Sequence, residues 1–137
     1  MKKGVIVVFE KNDIDSLKST RIKFLYNNKL DFCFVNNGND NKVLKFLYKL
    51  KEASKSNISI LNIRKEKPLL PAVKAAVRFL KNKENIDLII YTEPKTIYNK
   101  DLLNKIASIP QENLVYKREE RVLLRKVYSL NELINWE

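Results

Sequence analysis

Four apolar runs alternate along the chain with amphipathic segments, and this alternation constrains the fold more than any other feature. The runs are rich in β-branched and aromatic residues, which is typical of buried strands; they read KGVIVVFE, LDFCFVN, NISILNI and IDLIIYTEP, the last stopped by Pro94. Apolar residues recur at helical spacing after the second and third runs, at Val43, Leu47, Leu50, Val73, Ala76, Val77 and Leu80. A helix capped by Asn12 or Asp13 is expected after the first run. The alternation predicts an α/β domain with a mainly parallel sheet, flanking helices and right-handed crossovers.

The chain departs from this alternation after Pro94. We expect a helix from about Asn99 to Ile109, a C-terminal β-hairpin formed by NLVYK and RVLLRKV, and a short closing helix in SLNELINW that Ser129 caps. The 137 residues contain no linker, repeat or low-complexity segment. We therefore predict a single domain over residues 1–137, in which residues 95–137 are a short C-terminal extension.

Composition excludes several classes of function. The formal net charge of +11 favours anionic partners, although lysine-rich helix faces also produce such a charge without any partner. The chain has no histidine, which excludes His-based metal sites and Ser-His catalytic machinery. Its two glycines, Gly4 and Gly38, are too few for a Walker loop or a dinucleotide-binding fingerprint. The single Cys33 excludes an internal disulfide and suits a reducing compartment.

Acidic residues follow three of the predicted strands, where ligands bind in open α/β sheets. Glu10 follows the first strand, Asp40 the second and Glu93 the fourth. Convergent carboxylates of this kind hold Mg²⁺ or Mn²⁺ and bridge phosphates. The alternative is that Asp40 caps the following helix, while Glu10 and Glu93 are solvated turn residues. The sequence leaves both interpretations open.

The order of these segments, from Gly4 to about Pro94, resembles the family-two glycosyltransferases, which have the GT-A fold. Strand two of that family typically ends in Asp-Asp-Gly-Ser followed by another Asp, where this chain reads VNNGND. Asn-x-Gly and Ala-Arg-Asn-x-Gly segments follow strand three, where this chain reads RKEKPLLP and AVKAA. The fourth strand ends in the metal motif Asp-x-Asp, where this chain has Tyr91-Thr92-Glu93. The order of strands, loops and helices matches that of the family, but the residues at its binding and metal positions differ.

The resemblance implies a three-layer GT-A-like domain with strand order 3-2-1-4, whose residues 1–94 form the nucleotide-sugar-binding half. It implies these nucleotide-binding positions: Phe9, Glu10, Asn36, Asn37, Gly38, Asp40, Lys67, Lys74 and Tyr91. Asn36 and Asn37 can donate and accept hydrogen bonds with a base edge, yet the same letters also make a strand-to-helix turn and cap. Glu93 is the implied metal residue, for Mg²⁺ or Mn²⁺. No catalytic residue can be assigned.

Three functions remain open, in decreasing order of preference. The first is a glycosyltransferase-like domain that binds a nucleotide sugar but does not transfer it alone, because the Tyr91 phenol cannot replace a carboxylate at neutral pH. The second is a non-catalytic assembly module in polysaccharide synthesis. The third is a basic nucleic-acid-binding domain, for which no recognition motif is present.

The expected partners follow from the first two functions. They are a nucleotide sugar and either a second copy of the chain or a second glycosyltransferase subunit, with no specific nucleic acid. An active relative would belong to the hexosyltransferases. No apolar run approaches the length of a transmembrane segment. We expect a cytoplasmic protein, with peripheral contact to the inner membrane face as one alternative.

Overall fold

The computed structural model describes residues 2–13, 30–54, 57–81, 86–108 and 127–129 of the chain. Within these residues one parallel sheet has the order β3-β2-β1-β4-β5. Its strands are β1 (Lys2–Phe9), β2 (Leu30–Asn37), β3 (Asn57–Ile63), β4 (Ile86–Thr92) and the short β5 (Val127–Ser129). The helices are α1 (Asn41–Ala53), α2 (Leu69–Lys81) and α3 (Lys100–Ser108), with a 3₁₀ helix at Pro94–Tyr98. The predicted α/β class and strand order 3-2-1-4 are confirmed.

Both faces of the sheet are covered by helices, which makes three layers. Successive side chains of a strand point to opposite faces. Val5, Val7 and Phe9 pack into one cluster with the buried side chains of α1 and α3, while Ile6 and Val8 pack into a second cluster with those of α2. This double burial explains why the first two runs are almost continuously apolar.

The two helices predicted from their apolar spacing form as expected. In α1 the buried residues are Val43, Leu47 and Leu50, whereas Ala53 in its last turn is exposed. The buried residues of α2 are Ala72, Val73, Ala76, Val77 and Leu80. Pro71 lies in the first turn of α2, where a missing backbone N–H leaves no helical hydrogen bond unmade.

A buried lysine ties the start of β1 to the end of α3. Lys3 is only 4% exposed, and its Nζ donates hydrogen bonds to the carbonyl oxygens of Ile106 at 3.0 Å and Ala107 at 2.8 Å. Those carbonyls lie in the last turn of the helix, where its dipole favours a positive charge. The contact was not predicted, because a lysine in an apolar run reads locally as a solvated strand end.

Several predicted elements lie wholly or mainly outside the described residues. They are the helix after β1, the C-terminal hairpin and the closing helix. Ser129, which we expected to cap the closing helix, is the last residue of β5, and β5 pairs in parallel with β4. None of the helices that the structure describes is both long and apolar enough to cross a membrane.

Candidate functional site

The carboxyl ends of the long strands meet at one edge of the sheet. In the register, Phe9 of β1 lies opposite Asn36 of β2, which lies opposite Asn62 of β3, and Thr92 of β4 lies opposite Val7. The segments that follow β1, β2, β3 and β4 therefore share this edge, as the fold hypothesis required. Because β1 lies between β2 and β4, their ends are about 10 Å apart, which is two strand spacings. The strand order reverses between β1 and β4, where doubly wound sheets bind ligands.

Asn36 is fully buried, and its side-chain amide bonds to the protein itself. Its Nδ2 donates to the carbonyl oxygen of Asp40 and to Oδ1 of Asn62, both at 3.0 Å. Its Oδ1 accepts the backbone N–H of Asp40 at 3.3 Å. Both amide hydrogens are thus used, so Asn36 cannot donate to a nucleotide base without breaking one of these bonds.

Asn37 clamps the loop that follows β3. Its Nδ2 donates to the carbonyl oxygen of Lys67 at 2.8 Å, and its Oδ1 accepts the backbone N–H of Lys67 at 3.0 Å. The side chain is 2% exposed and imitates a neighbouring strand, pairing with both backbone groups of one residue. The contribution of Lys67 to this contact is its backbone, while the residue is exposed to solvent.

The rest of the asparagine loop is a strand-to-helix turn. Gly38 has φ +110° and Asn39 φ 54°, which are left-handed values that glycine and asparagine tolerate. Oδ1 of Asp40 accepts the backbone N–H groups of Lys42 at 2.9 Å and Val43 at 3.1 Å, so Asp40 caps α1. The structure thus shows the predicted cap at Asp40, while ligand binding at this loop stays a prediction.

The aromatic and lysine positions implied by the resemblance differ in access. The Phe9 ring is 1% exposed and packs edge-to-face on Phe34 with centroids 5.4 Å apart, so only its backbone reaches the edge. Tyr91 is half-buried on the face of the sheet that α2 covers. Lys74 is half-buried in the second turn of α2. Tyr91 and Lys74 thus both belong to the α2 side of the sheet.

The three acidic residues do not come together as a metal site. Glu10 lies in a turn in which its N–H donates to Oδ2 of Asp13 at 2.7 Å and its carbonyl accepts the Asp13 N–H at 3.0 Å. Glu93 is exposed, and its Oε2 lies 3.8 Å from Nζ of Lys95. The described ranges contain no group of three or more Cys, Asp or Glu side chains that could hold a metal ion. Oδ1 of Asp40 is engaged as the cap of α1, and a divalent ion held by Glu93 with substrate phosphates stays a prediction.

The edge is close to neutral in charge. The segments 10–13, 38–40, 64–68 and 93–99 hold five basic and five acidic residues in total. The excess positive charge of the chain is therefore not focused here. Cations are nevertheless clustered locally, since Arg64, Lys65 and Lys67 are all exposed in the loop that Asn37 clamps. Phosphates bound at this edge would meet that loop rather than a general positive field.

Two threonines at the end of β4 were not singled out by sequence reasoning. The hydroxyl oxygens of Thr92 and Thr96 are 2.6 Å apart and share a hydrogen bond, which ties the 3₁₀ helix to the strand end. Tyr98 ends this helix, and desolvation by burial raises the pKa of its phenol to about 12. The sequence signal that could have indicated this hydrogen bond is the Thr-x-x-x-Thr spacing around Pro94.

Comparison of the chain with protein-family models, with curated proteins and with solved structures gives no match. The fold and the side-chain geometry of the carboxyl edge therefore carry the functional argument alone.

Proposed function

We propose that this chain is a nucleotide-sugar-binding domain of the glycosyltransferase-like type that does not transfer sugar alone. The observation that carries the proposal is the all-parallel order 3-2-1-4, with the asparagine loop, the basic loop and Tyr91–Glu93 on one sheet edge. That juxtaposition is what the resemblance of the sequence requires. Among doubly wound sheets this edge is also the usual ligand position.

The hydrogen bonds and exposure of the side chains at this edge define how such a ligand would be held. Asn36 and Asn37 shape the edge through internal hydrogen bonds instead of reading the base. Arg64 and Lys65 are exposed beside them and would neutralise a diphosphate by charge-assisted hydrogen bonds. Tyr91 offers a partly exposed ring for stacking at the end of β4, which β1 separates from β2. In this proposal the protein's own cations replace a protein-held divalent ion at the phosphates.

The lack of transfer follows from the same residues. Departure of a nucleotide diphosphate develops negative charge, which a catalyst must stabilise more strongly than the ground state. Exposed lysine and arginine side chains stabilise this extra charge only weakly, because water and salt screen the attraction. Of the carboxylates at this edge, Asp40 caps α1 and Glu93 is exposed near Lys95, and the proposal assigns neither as an acceptor base.

A binding assay tests the proposal directly. Purified protein is titrated with uridine and guanosine diphosphates and their sugar conjugates in a calorimeter, with and without Mn²⁺, while product release is followed separately. We expect binding without turnover, and a roughly tenfold or greater loss of affinity in Arg64→Ala/Lys65→Ala. The matched control is Lys45→Ala/Lys49→Ala on α1, which removes the same charge elsewhere and should bind normally.

Two outcomes would contradict the proposal. Equal losses in both double variants would mean that net charge alone attracts the nucleotides. Turnover that requires Mn²⁺ and disappears in Glu93→Ala would show an active enzyme.

A non-catalytic assembly module is the second candidate. The observation that favours it is the saturation of the Asn36 and Asn37 amides by protein groups, which leaves a stable turn without a ligand. This function predicts no response to any nucleotide in the same titration, so the two candidates are separated by one experiment.

A further inference from the structure

Charge is one-sided along the loop before α2 and along α2 itself. Residues 64–81 contain one acid, Glu66, and six basic residues: Arg64, Lys65, Lys67, Lys74, Arg78 and Lys81. The helix has no acidic residue at all, and its opposite face packs on the sheet. Arg78 is exposed and Lys74 is half-buried, four residues apart on one side of the helix. The helix itself has Lys74, Arg78 and Lys81 and no acid, so it adds positive charge beyond the carboxyl edge, where the loop cations are balanced.

Two large apolar side chains lie at the N-terminal end of the same surface. Leu69 is 51% exposed and Leu70 is 46% exposed. A single exposed leucine is ordinary, whereas adjacent ones with lysines close in sequence on both sides are characteristic of segments that insert at a lipid–water interface. Leu70 is four residues before Lys74, so the apolar tip continues directly into the positive stripe.

The apolar tip is held rigidly. Pro68 and Pro71 flank the two leucines and fix φ on both sides, and the Pro68 carbonyl accepts the N–H of Ala72 at 3.1 Å. The preceding residue, Lys67, is clamped by the buried Asn37 amide. Association with a surface would therefore require little ordering of this segment, which lowers the entropy lost on binding.

We propose that the outer face of α2, with Leu69 and Leu70 as its tip, docks on an anionic lipid bilayer. The leucines enter the interfacial layer, while Lys74, Arg78 and the cations of the preceding loop contact lipid phosphates. A duplex or single-stranded nucleic acid would use the charges but would leave the leucines without a partner, since base recognition relies on polar and aromatic side chains. The proposal shares Arg64 and Lys65 with the proposed nucleotide site, but it rests on Leu69, Leu70, Lys74 and Arg78, which that site does not use.

Vesicle binding tests the proposal. The full chain is sedimented with phosphatidylcholine vesicles, alone or mixed equally with phosphatidylserine, over a series of salt concentrations. We expect binding to the mixed vesicles that weakens steeply with salt. Leu69→Ser/Leu70→Ser should lower the affinity roughly tenfold through lost apolar burial, and Lys74→Glu/Arg78→Glu at least as much.

The chain offers matched controls on the opposite face of the sheet. Tyr48 of α1 is 49% exposed, so Tyr48→Ser removes a comparable apolar side chain and should bind normally. Lys45→Glu/Lys49→Glu makes the same charge change on α1 and should reduce affinity by no more than about threefold, through long-range charge alone. Circular dichroism and melting curves check that every variant is folded.

A spectroscopic measurement locates the contact. With Trp136 replaced by phenylalanine, Leu70→Trp carries the sole tryptophan of the chain. Its emission should move to shorter wavelength on addition of mixed vesicles. Equal losses in the α1 and α2 charge variants, or unchanged emission, would overturn the proposal. A failure to bind mixed vesicles would also overturn it. In that case, loss of RNA binding or of self-association in Leu69→Ser/Leu70→Ser would identify the partner of this surface instead.

Discussion

Replacing Asn37 with aspartate introduces the residue typical of the family that the sequence resembles, and it tests the hydrogen bonds between Asn37 and Lys67. Aspartate can still accept the Lys67 N–H, but an ionised carboxylate cannot donate to the Lys67 carbonyl, now made at 2.8 Å. One hydrogen bond worth about 1 kcal/mol is lost. Placing a buried carboxylate against the Lys67 carbonyl destabilises the fold further, by about 1–2 kcal/mol. This cost is at the low end for a buried charge because Lys67 is exposed to solvent. We expect the free energy of unfolding to fall by about 2–3 kcal/mol at pH 7.

The sign of the pH dependence distinguishes this mechanism from a simple packing defect. Burial beside a carbonyl raises the pKa of the introduced carboxyl in the folded state above that in the unfolded state. The folded state then binds more protons between the two pKa values, so stability decreases as pH rises through that window. Near pH 4, where the carboxyl regains a proton and can donate to Lys67, the deficit should largely disappear.

Urea titration from pH 4 to pH 8 measures the effect. At pH 7 the expected change corresponds to a melting temperature lower by about 6–12 °C. Asn62→Asp is the matched control, because Asn62 acts as an acceptor for Asn36 and is exposed, and a carboxylate can keep that role. A wild-type free energy for Asn37→Asp at neutral pH, or a pH-independent loss, would refute the clamp as described.

Three further changes test separate features of the structure. Lys3→Met leaves two helix carbonyls without their ammonium donor and should lower the free energy of unfolding by about 2–3 kcal/mol in urea titration, whereas exposed Lys11→Met should change it by less than about 0.5 kcal/mol. Gly38→Ala should lower it by about 1–2 kcal/mol through its φ of +110°, since the added Cβ would meet Glu66 only at an ordinary 3.5 Å. For Tyr98, ultraviolet titration should show a phenol with a pKa of about 12 that Tyr98→Phe removes. Because this pKa is raised by folding, its contribution to stability should be lost as pH rises from about 10 toward 12; a Tyr98 midpoint near 10 would contradict its burial.

The strands were predictable because each buried strand is a local run of apolar, β-branched residues. The run NISILNI coincides with β3 at both ends, and α1 and α2 begin and end close to where their apolar spacing and caps indicate. Once the strands are parallel and the chain returns across the sheet after β3, the shared carboxyl edge follows from topology. Nothing beyond patterning and the order of segments was needed for this part.

The roles of the individual polar residues were not predictable in the same way. Whether Asn36 meets a ligand or Asn62 depends on the register between β2 and β3, and the partner of Asn37 lies 30 residues away in an irregular loop. The local sequence around an asparagine is the same whether its side chain binds a ligand or another part of the protein. The capping role of Asp40 could be weighed from sequence because its partners are local, two and three residues onward.

The central position of β1 has a consequence for how the chain acquires its structure during synthesis. Strand β1 leaves the ribosome before the other strands of this sheet, yet it pairs on one side with β2 and on the other with β4. Its Lys3 bonds to carbonyls that lie 103 and 104 residues later in the chain. A nascent chain that stops before β4 has one edge of β1 unpaired and lacks the α3 carbonyls that bury and bind the Lys3 ammonium. Such long sequence separations slow folding and make it cooperative late in translation. Ribosome-bound fragments ending near residue 85 should therefore remain protease-sensitive, and protection should appear only after α3 has emerged.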